Sequence, residues 1–282
     1  MPKETGVSKA VRVWLSVGTS VLIGAAGAGC TDGGSEAARD TARGSDVSER
    51  SAVGSDAAAT RPGPSAGGEG EGEGSSGADP VSDDAEYLHL LGQTRGHLAA
   101  FTALHRLGAH DMSMTHAKHP ESELYTGLIP AFEARGKAGF ARELDALTVA
   151  VGNGGNVDAA YSDLVKAIRE NEPDTDLGTH LKAISTLART AGKEFAIGVA
   201  DDGRVVNAHE YQDAYGFLTA AKEMLASREA RNPQEAQALA TAEQQLNIGL
   251  GEFDTLTAAQ VDGKASVIQG AAARIEIEAN ML

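Results

Sequence analysis

Six of the chain's eight histidines fall in one stretch: His89, His97, His105, His110, His116 and His119. Imidazole is the commonest metal ligand and the usual proton carrier near neutral pH. Within the stretch, His116 and His119 stand three residues apart. They lead into Pro120, which suits the first turn of a helix, with Glu121 and Glu123 close behind. Acids in a first helical turn are favoured by the helix dipole alone. The same residues also bring His116, His119 and Glu123 together as nitrogen and oxygen donors, a set that suits iron, copper or zinc. The spacing matches no known zinc signature. His97 lies among Leu90, Phe101 and Leu104 on an apolar stripe. A single histidine there is ordinarily a hydrogen-bonded core residue, unless a second polar segment faces it.

The segment from Val206 to Phe217 offers such a partner. At a helical 100° per residue, Glu210 and Asp213 fall near the line through Val206, Phe217, Ala220 and Met224, with His209 at its edge. Buried carboxylates are costly unless they are paired or bound to a cation. Metal sites in helical bundles are built from such inward-pointing acids and histidines. The alternative is pairing of Glu210 and Asp213 with a buried cation, Arg95 or Lys222. Tyr211 and Tyr215 either hydrogen-bond to such ligands or simply pack. No Gly-x-Ser-x-Gly elbow, phosphate loop or cysteine pair is present, and Gly152-Asn153-Gly154-Gly155 is a turn between helices. The sequence contains no recognisable catalytic constellation and reads as non-enzymatic.

The elements that must position these groups are helical almost throughout. Leu90, Thr94, His97, Phe101 and Leu104 mark a first helix that Gly108 ends. Leu124, Tyr125, Leu128 and Phe132 mark a second, which Pro130 should kink or shorten. Further helices follow through Phe140 to Leu147, from an Asn156 cap through Ile168, from Asp176 to Ala200, from Val205 to Ser227, from Pro233 through Leu246, and from Ala265 to Ala279. Only Ile275 to Ile277 hints at β alternation. Residues 85–282 are therefore expected to form an all-α bundle of about seven or eight helices.

The chain before this domain has two other characters. Residues 1–29 carry Lys3, Lys9 and Arg12, a short apolar stretch and a run of small residues, the pattern of a secretory signal peptide. Cys30, the one cysteine, follows Ala28-Gly29 and is expected to carry the lipid of a membrane-anchored lipoprotein facing the periplasm or exterior. The run resembles a bacterial lipobox, with Gly27 where a leucine is usual. Thr31, not the aspartate that retains lipoproteins in the inner membrane, follows Cys30, which favours the outer membrane. Residues 30–84 are rich in Gly, Ser, Ala and Asp, with no aromatic residue. They cannot bury enough apolar surface to fold, and read as an acidic tether with a root-mean-square span of roughly 40 Å. The whole chain has a net charge of −16, which argues against nucleic acid as a partner.

Gly96-His97, the run His116-x-x-His119-Pro120-x-x-Glu123-Leu124-Tyr125 and the segment His209 to Phe217 together carry a family resemblance. The domain resembles helical periplasmic proteins of bacterial iron uptake: imelysin-like and EfeO-like proteins, and the extracytoplasmic helical segment of some iron permeases. The resemblance implies an all-α bundle with a metal site in or near its core. The imelysin hallmark is Gly-x-His-x-x-Glu; here Gly96 directly precedes His97, and Ala100 stands where the acid would be. No peptidase activity is implied. The expected function is binding of a transition-metal ion, iron first with zinc or copper as alternatives, in support of iron uptake. Its expected donors are His97, His116, His119, Glu123, His209, Glu210 and Asp213, and its partners the membrane and an envelope or iron-uptake protein. The competing expectation is a non-catalytic structural or interaction lipoprotein of the cell envelope.

Overall fold

A computed structural model describes residues 77–282, without the side chains of Lys118, His119, Glu121, Ser122 and Glu123. The signal segment, Cys30 and nearly all of the tether lie outside the described residues. Among the described residues there are nine α-helices and one π-helical turn, and no strand longer than an isolated bridge. The domain is all-α, as its periodicity predicts.

In chain order the helices are α1 (Asp84–Arg106), α2 (His110–His119), α3 (Thr126–Ala134), α4 (Ala141–Gly152), α5 (Val157–Asn171), α6 (Leu177–Gly198), α7 (Ala208–Ala226), α8 (Pro233–Leu250) and α9 (Ala265–Met281). The π-helical turn Pro120–Tyr125 joins α2 to α3. Most helix starts are written locally. Asp83, Asn156, Asp176, Asn207 and Asn232 each accept a backbone N–H of the first turn, which satisfies a donor that the helix itself leaves orphaned. Helix α7 begins three residues later than its periodicity suggests. Arg204 and Val205 are drawn into isolated bridges with Gln260 and Val199, and Asn207 then caps the helix. Helix α3 runs four residues past Pro130, which sits on its exposed side. At the other end of the domain, Arg135 donates to the Pro80 carbonyl and to Asp84, so hydrogen bonding reaches back ahead of α1.

Helices α6, α7, α8 and α9 form a ring in which α6 packs on α7 and α9, and α8 on the same two. Their core includes Leu181, Ile184, Leu187, Phe195, Phe217, Leu246 and Ile268. A second core forms between α1, α3, α4 and α5 from Tyr87, Leu91, Leu98, Phe101, Phe132, Phe140 and Leu164. Helix α1 lies between the two. It is buried without interruption from Glu86 to Thr102, polar residues included. A helix enclosed on every side has no polar face to give to water, so its histidines must find partners inside the protein.

Candidate metal centre

His89 on α1 turns to Thr190 of α6, whereas the partner of His97 and His116 comes from α7. Asp213 is fully buried, and its Oδ1 accepts from His97 Nδ1 at 2.7 Å and from His116 Nδ1 at 2.8 Å. His209, one turn before Asp213 on α7, brings Nε2 to 3.0 Å from Oδ2, off the line of a hydrogen bond. Three imidazoles from three helices thus surround one carboxylate. His97 and His116 have no exposed surface, whereas the His209 side chain keeps 18% of its surface exposed. His116 and His209 stack with ring centroids 4.3 Å apart.

The crossing of α1 and α7 makes this approach possible. A Cβ on Gly216 would stand 2.2 Å from the Gly96 carbonyl oxygen, and one on Gly96 would stand 3.0 Å from Phe217 Cα. At Gly216 backbone meets backbone, and at Gly96 the Phe217 ring fills the space that a side chain would need. His97 directly follows Gly96, and Asp213 lies one turn before Gly216, so close contact of the helices carries imidazole and carboxylate to hydrogen-bonding distance.

His116 is oriented from its far side by Gln212, a residue that periodicity alone passes over. The Gln212 amide nitrogen donates to the Leu256 carbonyl at 3.0 Å and lies 3.3 Å from Met112 Sδ. A carbonyl can only accept, so the amide oxygen must face His116, whose Nε2 donates to it at 2.9 Å. His116 therefore donates from both ring nitrogens, one to Gln212 and one to Asp213. Burial pushes the Asp213 carboxyl upward, but the His97 charge and the neighbouring imidazoles outweigh it and hold Asp213 well below the usual carboxylate range. Burial alone would lower His209. The nearness and charge of Asp213, joined by Glu210, hold it above its ordinary value.

The remaining candidates fall differently. Glu210 is buried beside the α7 cap, where Asn207 Nδ2 donates to it at 3.4 Å, and it is not among the convergent donors. His119 ends α2 and Glu123 lies in the π-helical turn; their side chains are outside the described residues. The cations considered as partners for Asp213 are engaged elsewhere. Arg95 pairs with Glu172 and Glu223, and Lys222 donates to Asn247. Tyr211 accepts from the Asp254 N–H, and Tyr215 packs edge-on against Phe253. A cleft of about 540 Å³ near Phe195, Asp202, Asp262 and Lys264 includes none of the three imidazoles in its lining.

The donor set fits a transition-metal ion. One donor atom from each of His97, His116 and Asp213 lies within 4.8 Å of the others. Asp213 Oδ2 is buried and faces His209 Nε2 at 3.0 Å in an ion pair, an oxygen that a bound cation could also engage. Imidazole with carboxylate, and no thiolate, is the chemistry of iron and zinc sites.

Residues 170–280 match the family model of the iron permease-associated 4-helix bundle domain. That range begins at the end of α5 and spans the ring α6–α9, so it includes His209, Gln212 and Asp213 but neither His97 nor His116. The match agrees with the resemblance to the helical segment of iron permeases; it does not address the imelysin-like or EfeO-like part. Neither a curated protein nor a solved structure matches the chain.

Proposed function

We propose that the chain is a lipid-anchored extracytoplasmic protein that binds a transition-metal ion, iron in the first place, and supports iron uptake. The observation that carries this is Asp213, a buried carboxylate on which three imidazoles converge and to which no Lys or Arg among the described residues is paired. His97, His116 and Asp213 would hold the ion, with His209 at the solvent side and His119 and Glu123 as further candidates. The ion would take the place of the protons that His97 and His116 hold against the carboxylate. Entry through His209 follows from its partial exposure.

The chain's own residues prepare this exchange. Nδ1 of His97 and of His116 donate to Asp213, so those protons must leave before the same atoms can ligate. Gln212 keeps Nε2 of His116 occupied and leaves Nδ1 turned toward the carboxylate. Support for iron comes from the all-nitrogen-and-oxygen donor set and from the iron permease-associated match. Support for the lipid anchor comes from the residues around Cys30.

The test is elemental analysis and calorimetry of the purified protein with Fe²⁺, Zn²⁺ and Cu²⁺. Wild type should bind at the buried cluster with proton release, and Asp213→Asn should abolish that class of binding. Leaving the imidazoles without their counter-charge should also cost the variant about 3 kcal/mol of stability, read by urea unfolding. A wild type that binds no ion at the cluster would rule out the metal assignment. For the anchor, labelling with a radioactive fatty acid in the producing cell should fail in Cys30→Ser; label that persists in this variant would refute it.

A further inference from the structure

The α1–α2 hairpin carries a second pair of histidines that the buried cluster does not use. His105 lies in the last turn of α1 and His110 opens α2. Because the helices run antiparallel, His97 faces His116 on one rung, and His105 faces His110 on another nearer the turn. The outer rung is eight residues along α1 from His97 and six along α2 from His116. At about 1.5 Å of rise per residue this is about 9–12 Å from the buried cluster. His105 is half-buried and His110 is exposed.

The outer pair meets edge to face, at a separation that two ligands on one ion also show. Their ring centroids lie 5.1 Å apart with planes at 65°. A metal–nitrogen bond of about 2.0–2.1 Å puts a ring centroid about 3 Å from the ion, so two imidazoles near the tetrahedral angle have centroids about 5 Å apart. The buried rings differ: His116 and His209 lie nearly parallel, at 14°, and face to face. His105 is also held in place. It stacks on Phe101, with centroids 5.7 Å apart and planes at 28°. Phe101 itself is fully buried. One of the two donors is thus immobilised on the core, which lowers the entropy lost when the pair closes on an ion.

We propose that His105 and His110 form a second, solvent-facing site for a divalent transition-metal ion of the zinc or copper class, completed by water. The site is separate from the buried cluster and weaker than it, since it offers two protein donors. Its position on the same hairpin makes it a first landing place for ions that the cluster takes up; only this last role rests on the buried site.

The test uses Zn²⁺ calorimetry and Cu²⁺ electron paramagnetic resonance on the full chain, comparing wild type, His105→Gln/His110→Gln and Asp213→Asn. The double variant should lose one equivalent of bound Zn²⁺ and keep its melting temperature, because one ring is exposed and neither carries the core. Asp213→Asn should keep that equivalent and show Cu²⁺ coupled to two imidazole nitrogens. Equal Zn²⁺ uptake by wild type and double variant would overturn the outer site. Loss of the outer class alone, or of the Asp213 class alone, separates failure of this site from failure of the buried one. If Asp213→Asn does not fold, the difference in equivalents between wild type and double variant decides the matter.

Discussion

At the scale of single residues, Gln212 and His180 show how differently buried polar groups are settled. Gln212 has its amide nitrogen tied to a carbonyl, so its oxygen has one direction left, toward His116. Removing a group that orients a ligating imidazole typically weakens metal binding 10–100-fold. Gln212→Leu should do so with the bound ion still coordinated by His97 and Asp213. Gln212→Glu, which keeps an acceptor at Nε2, should recover most of the affinity; equal losses in both variants would mean a role in packing only. His180 is buried on α6 and donates from Nε2 to the Met224 carbonyl, while its Nδ1 has no hydrogen-bond partner among the described residues. Burial, with the Arg228 charge, lowers it to about 4 from the ordinary 6.5. Between pH 6.5 and 4 the unfolded chain binds this proton and the folded one does not. Stability from this group is therefore full above pH 6.5 and lost as pH falls toward 4, by about 3 kcal/mol at most. Urea melts across this range should flatten in His180→Leu. The Met224 carbonyl keeps the Ser227 backbone N–H and hydroxyl as donors in that variant, so its fold should survive.

At the scale of elements, the crossing of α1 and α7 sets the site. Gly96 and Gly216 bring the two backbones into contact, and one added methyl must push against a carbonyl oxygen at 2.2 Å. Backbone yields less readily than the end of a flexible side chain. Gly216→Ala should therefore separate the helices and cost at least about 1–3 kcal/mol. It should also lengthen the contact between His97 and Asp213. Thermal melting would register the first effect, and the His97 imidazole nitrogen shifts in NMR the second. An alanine variant with native stability and unchanged shifts would show that the crossing has slack. Helix α1 also explains why its own sequence is hard to read. Its apolar stripe is genuine, yet the opposite face is buried too, with Gly92 against Leu187 of α6 and Met224 of α7, so polar residues such as Arg95 and Gln93 lie inside rather than at the surface.

At the scale of the whole molecule, the cluster straddles the matched region. The ring α6–α9 supplies Asp213, His209 and Gln212, while α1 and α2 supply His97 and His116. A fragment of residues 170–282 should keep helical content but lack two imidazoles. It would also expose the apolar faces of α6 and α7 that α1 covers, Leu187, Phe217 and Met224 among them. The expected result is an oligomeric or aggregating fragment without stoichiometric metal binding at Asp213. Light scattering and metal analysis would check both, and a monomeric fragment that binds as tightly as the whole chain would move the site elsewhere.

The residues themselves determine much of this protein. Helix starts at Asn156, Asp176 and Pro233 are legible because a cap or a proline acts within one turn. The all-α class is legible because periodicity is local. The histidine cluster and the acids near the apolar line of α7 are visible as composition. The N-terminal pattern around Cys30 is likewise a local signal. Which acid meets which imidazole is not local. Asp213 lies 116 residues from His97 and 97 from His116, and only the packing of α7 against α1 and α2 brings them together. The same packing sends Arg95 to Glu172 and Glu223, away from Asp213, and leaves Glu210 at a helix cap. Periodicity places Glu210 and Asp213 near one line, but a turn of helix is enough to put one at the cap and the other among three imidazoles. Gln212 illustrates the limit most clearly: its role depends on the direction of one backbone carbonyl in the loop after α8, and no spacing in the chain encodes that direction.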